Sequence, residues 1–177
     1  CLESFAQATE KLPIQLSLSQ FANPQIAVSR SHGIPHVARV MLWTHYLSQR
    51  PFLLYTLPRT GQFSDLTPYS SSFEMDEEDW FSFIKLVRPL AGDALLAAAI
   101  HDLRRVNHNE DKNHGEDAST YFSDTIIEFC GGEENRIARI KEAVTWHRRD
   151  DKDCPHQTNP IWMILKDADA LDRGRFA

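Results

Sequence analysis

A chain of 177 residues is long enough for one domain with a real core, and 42% hydrophobic with 25% charged residues is an ordinary globular balance. A formal net charge of -6 argues against a general nucleic-acid scaffold, because phosphate binding wants a basic face, though it leaves room for a local basic pocket. No apolar run reaches the roughly 18 residues of a membrane span, and no signal peptide is visible. The three cysteines, Cys1, Cys130 and Cys154, form no CxxC pair, so neither a disulfide framework nor a cysteine zinc site is indicated. That usage fits a reducing compartment and predicts a cytoplasmic protein. The start at Cys1 and the abrupt end at Phe176-Ala177 predict a segment of a longer chain.

In chain order, a short helix is expected from Leu2 to about Lys11. Irregular chain follows from Leu12-Pro13 to Asn23-Pro24, where prolines break any helix. Gly33 and Pro35 mark a turn into a helix whose stripe is Val37, Val40, Met41 and Leu47, and His36 sits near its start. Arg50 to Phe73 is rich in Pro, Gly, Ser and Thr and reads as a long loop or insertion, near 50–75. Acids at Asp76 to Asp79 suit a helix N-terminus and begin a helix that runs to Pro89. Gly92-Asp93 is expected to cap the next helix, Ala94 to about Arg104.

That helix carries the stretch Ala98-Ala99-Ile100-His101-Asp102. An apolar helix that delivers a His-Asp pair is costly unless something binds the pair, because a buried unpaired carboxylate is unfavourable by several kcal/mol. Val106 to Gly115 reads as a loop, Glu116 to Cys130 as a helix stopped by Gly131-Gly132, and Glu133 to about Trp146 as a helix ending at His147. Arg148 to Asn159 is polar, and a final helix runs from Pro160 through Asp169 to Asp172. Five or six helices and no alternating strand pattern predict an all-α domain.

His36, His101, His147, Asp102 and Asp169 fall at or near predicted helix ends, and His114 falls in a predicted loop, where side chains of different elements can converge. Neutral imidazoles and carboxylates suit Mn, Fe, Zn, Ni or Co, and Mg where carboxylate and water dominate. A carboxylate between two ions can bridge them, and such a site polarises a phosphoryl oxygen and activates water.

The order His36, His101-Asp102, Asp169 resembles the H…HD…D signature of the HD superfamily of metal-dependent phosphohydrolases. His36-Val-Ala-Arg-Val40 is similar to that family's first-helix box, and Lys166-Asp-Ala-Asp169-Ala-Leu to its closing box. The run His101-Asp-Leu-Arg-Arg105 through His114-Gly115, closing on Asp167 to Arg175, is similar to an uncharacterised bacterial branch. The resemblance covers roughly Ser31 to Arg175. It implies a single HD-domain helical bundle with a divalent metal ion on His36, His101, Asp102 and Asp169. It further implies a second ion on His114 and His147, bridged by Asp102, the catalytic residue.

Implied with these is hydrolysis of a phosphate ester or anhydride, of a nucleotide or small phosphorylated metabolite, by metal-bound water. Two departures stand out. Arg104-Arg105 occupies the place of the acidic pair found in guanosine tetraphosphate hydrolases, and the Glu of the single-metal nucleotidases is missing. Glu110 and Asp111 are weak substitutes for a base.

Arg39, Arg104, Arg105 and Arg148 flank the ligand boxes and either meet substrate phosphate or pair with the many acids. His32 is expected near the site or on the surface, His45, His108 and His156 on the surface, and Asp167 and Asp172 orienting neighbours or meeting solvent. Trp43, Trp80, Trp146 and Trp162 are expected in the core. Two other readings remain: an HD-type nuclease on single-stranded nucleic acid, and a non-catalytic module that senses metal or nucleotide. The oligomeric state is open.

Overall fold

A computed structural model describes residues 2–49, 88–109, 111–150, 153–155 and 158–174. The loop expected over 50–73, Trp80, Glu110 and His156 lie outside these residues. So does the helix expected over 76–89, except at its end, where Arg88–Leu90 forms a 3-10 turn.

The described residues form eight α-helices and no strand, as the all-α expectation required. They are α1 (Leu2–Thr9), α2 (Pro24–Ala27), α3 (Ile34–Gln49), α4 (Ala91–Ile100), α5 (His114–Tyr121), α6 (Ser123–Phe129), α7 (Glu134–Trp146) and α8 (Pro160–Arg173). None is long and apolar enough to cross a membrane. The count exceeds five or six because α2 is a single turn within the irregular N-terminal chain, and because the expected helix over 116–130 is two. Phe122 breaks it, at φ −92° and ψ 17°, and buries its ring while Tyr121 stays exposed. Gly131 and Gly132 adopt φ of 60° and 83° and end α6 as expected, since only glycine takes such angles without strain.

The short α4 is the centre of the bundle. It packs against α3, α7 and α8, while α7 also holds α5 and α8. Every residue from Asp93 to Ile100 is buried. Ala97, Ala98 and Ala99 present only methyl groups, so neighbouring helices approach closely around it. Two boundaries differ from expectation. The turn Arg88–Leu90 runs straight into α4, so Gly92 and Asp93 lie inside the helix rather than capping it. Asp93, itself buried, instead accepts from the half-buried Arg136, Nη2 at 2.6 Å and Nε at 3.1 Å, a pair that fastens α4 to α7. At the other end, α4 stops at Ile100, and Leu103 and Arg105 amides bond back three residues to Ile100 and Asp102. These tight turns set His101 and Asp102 at the helix mouth.

α8 begins with Asn159, whose side chain accepts from the Ile161 amide at 3.0 Å. Trp162 is buried and Trp146 half-buried, whereas Trp43 is 37% exposed, which corrects the expectation that it lies in the core. His45 is likewise not on the surface. It is buried on α3, with Nε2 3.1 Å from Ser4 Oγ.

Candidate metal centre

Five helices bring six side chains to one point. His36 is the third residue of α3, and His101-Asp102 follow α4. His114 opens α5, two residues ahead of the expected helix start, His147 follows α7, and Asp169 lies in α8. None of the six is more than 3% exposed.

The ring nitrogens are sorted by their partners. His101 Nδ1 donates to the Ala98 carbonyl at 2.7 Å, His147 Nδ1 to Val144 at 2.7 Å, and His114 Nδ1 to Asp111 at 2.6 Å. A carbonyl only accepts, so each of these Nδ1 atoms carries the proton. His36 Nδ1 donates to the Asp172 carboxylate at 2.7 Å. In the neutral rings every Nε2 is therefore a bare lone pair, and all four point inward.

The lone pairs face one another closely. His36 Nε2 is 3.3 Å from His101 Nε2, and His114 Nε2 is 3.1 Å from His147 Nε2. Neither contact has a proton to share, so each is repulsive unless a cation lies between. The spacing fits one: donors about 2.0–2.2 Å from an ion stand about 3.0–3.5 Å apart. His36, His101 and Asp169 form one group whose donor atoms lie within 4.8 Å of each other, and His101, Asp102 and His147 form another. These buried groups could hold a metal ion.

Asp102 joins the two. Its Oδ2 is 3.6 Å from His36 Nε2, and its Oδ1 is 3.0 Å from His114 Nε2 and 3.7 Å from His147 Nε2. Asp169 Oδ1 stands 3.5 Å from His36 Nε2 on the first side. A nitrogen-rich set of this kind suits Mn, Fe, Co, Ni or Zn better than Mg.

Burial lowers the pKa of His36, His101 and His147, against the pull of Asp102, and so favours the neutral, ligating ring. For Asp102 burial acts upward, but the surrounding imidazoles, His101 first and then His114, His147 and His32, outweigh it, and the carboxyl stays well below its usual range.

Around the six, other residues hold fixed positions. Asp172 is buried and accepts from His36 and, at 2.6 Å, from Arg39 Nε. It orients His36, and Arg39 orients it. Arg104 stacks on Tyr121 at 4.2 Å. Arg105 is buried beside Asp102, Arg148 follows His147, and Asp111 accepts from the Val106 amide. Asp167 is half-buried. His32 Nδ1 is 3.3 Å from Asp102 Oδ2, and its ring neighbours exposed His108. Arg173, not singled out in the sequence, donates through Nε to Asp169 Oδ1 at 2.9 Å. Its spacing of four from Asp169 on a helix was the available signal.

No protein-family model, curated protein or solved structure matches this chain.

Proposed function

We propose that this chain is a metal-dependent phosphohydrolase with an HD-type helical bundle, acting on a phosphate ester or anhydride of a nucleotide or small phosphorylated metabolite. The observation that carries the reading is the set of inward Nε2 lone pairs, each fixed by a bonded Nδ1, gathered around Asp102. A divalent ion held there would polarise a phosphoryl oxygen and acidify a water molecule.

The chain's own residues do the rest. His36, His101 and Asp169 form one side of the cage and His114 and His147 the other. Asp102 offers one oxygen to each side, which supports a bridging role between two ions. Asp172 keeps the His36 lone pair aimed inward by holding its Nδ1 proton. Burial keeps water away from the ligands and so strengthens their hold. Arg105, 3.9 Å from Asp102 through Nη1, and Arg148, next in the chain to His147, would offset phosphate charge.

The test is metal content of protein purified without chelator, then a screen of phosphorylated nucleotides and metabolites with added Mn or Mg. Bound transition metal with turnover of one compound class is the expected result. Turnover of single-stranded nucleic acid alone would replace this reading with a nuclease. Bound metal without turnover would leave a sensor module, and absence of metal would end the proposal.

A further inference from the structure

Asp102 is ringed by nitrogens, and the protons on them decide which can hold it. The Nε2 atoms of His36, His101, His114 and His147 stand between 3.0 and 4.0 Å from its oxygens. All four are lone pairs in the neutral rings, because each Nδ1 holds the proton. A lone pair gives a carboxylate nothing to accept. Arg105 Nη1 is 3.9 Å away, beyond hydrogen-bond reach, and Arg105 Nε and Nη2 donate to the carbonyls of Asn107 at 2.9 Å and Asn109 at 3.0 Å.

His32 is different. Its Nδ1 is 3.3 Å from Asp102 Oδ2, and since a carboxylate only accepts, that Nδ1 carries the proton. Among the described residues it is the one side-chain donor within hydrogen-bond distance of Asp102. Its pairing also sets it apart from the ligand candidates. His36 lies against His101 and His114 against His147, lone pair to lone pair, whereas His32 meets a carboxylate oxygen.

The turn that carries His32 is itself fixed. Gly33 packs flush on α2, where a Cβ would overlap the Ile26 and Ala27 carbonyls. The Arg30 carbonyl accepts from Arg39 Nη2 at 2.7 Å, and Arg39 also holds Asp172, the partner of His36. The His32 turn and the His36 ring are therefore tied to the same guanidinium.

We infer that His32 is a positioning residue for Asp102: its Nδ1–H holds Oδ2 on the His36 side and so keeps Oδ1 turned toward His114 and His147. A neutral ring is enough for this. The role rests on the proposed metal centre for its effect on bound ions, but not for the hydrogen bond itself. With Oδ2 held, the carboxylate is set to serve both sides of the cage before any ion arrives.

Nitrogen NMR of metal-free, histidine-labelled protein at about pH 8, where an ordinary imidazole is neutral, is expected to show His32 as the Nδ1–H tautomer. The Nε2–H tautomer would overturn the inference. Cobalt-loaded protein reads the consequence. His32→Ala is expected to weaken cobalt retention about 10–100-fold against a competing chelator and to alter the visible absorption of the bound cobalt. Helical circular dichroism should persist, because the side chain is 21% exposed and its loss seals no cavity. His32→Asn offers an amide N–H where Nδ1 stood and is expected to recover both affinity and spectrum. Affinity and spectrum unmoved by His32→Ala would overturn the role. So would an equal loss in both variants, the pattern of a ring that ligates the ion itself. Should His32→Ala fail to fold, the tautomer and the His32→Asn spectrum decide. Recovery by His32→Asn in a protein that hydrolyses no phosphate compound would remove the phosphohydrolase reading and leave the role standing. Hydrolysis with a cobalt spectrum that His32→Ala does not move would do the reverse.

Discussion

Asp102 presents its two oxygens to different histidines, and that division sets what single substitutions should do. Asp102→Asn removes a charge and turns one ligand oxygen into an N–H donor aimed at a lone pair. Bound metal is expected to fall below about one ion per chain with hydrolysis lost, while helical circular dichroism persists. His114→Ala opens only the second side, so metal content should drop from about two ions to about one. Asp172 touches no neighbouring lone pair, yet Asp172→Ala frees the His36 ring to turn and leaves Arg39 with only the Arg30 carbonyl. Metal affinity is expected to weaken about 10–100-fold, read by competition with a chelator of known affinity. The six side chains that converge were named from the sequence on two grounds: the cost of delivering His101-Asp102 on an apolar helix, and a resemblance in motif order that alone implied His114 and His147 as ligands. Asp172 was expected to orient a neighbour or meet solvent, and it orients His36. Arg173 was not singled out, since a guanidinium on a charged helix reads equally well as solvated. His45 misled for the opposite reason: an imidazole in a helical stripe carries no mark of burial until α1 covers it.

The fit between α5 and α7 places His114 beside His147. Gly115 makes that fit possible, because a Cβ there would overlap the Val144 carbonyl and come within 3.3 Å of His147 Nδ1. Gly115→Ala is expected to destabilise the fold by about 1–3 kcal/mol and to lower occupancy of the second ion, both measured by chemical denaturation and metal analysis. Helix positions were read well from periodicity, as in α3, α7 and α8. Their ends were not. The split at Phe122 left no mark in the sequence, since no Gly or Pro announces it. The start of α4 was misplaced because Asp93 serves Arg136 rather than a cap, a tertiary use that local patterning does not contain.

Across the whole molecule, the depressed imidazoles tie stability to acidity. His36, His101 and His147 take up protons less readily in the folded chain than at the ordinary value of 6.5. Stability is therefore fully present above that value and is lost as pH falls below it toward the lowered folded values. Chelator-treated protein should show a melting temperature that declines between about pH 7 and about pH 5, and saturating metal should raise the curve by mass action. Three of the four imidazoles take their fixed tautomer from a carbonyl three residues upstream, whereas His36 takes its own from Asp172, 136 residues away. During synthesis, then, His101, His114 and His147 can be set ring by ring as each turn forms. His36 and Asp169 wait on α8. The growing chain offers only a partial cage until that helix docks, so a metal ion bound there would report that α8 has docked.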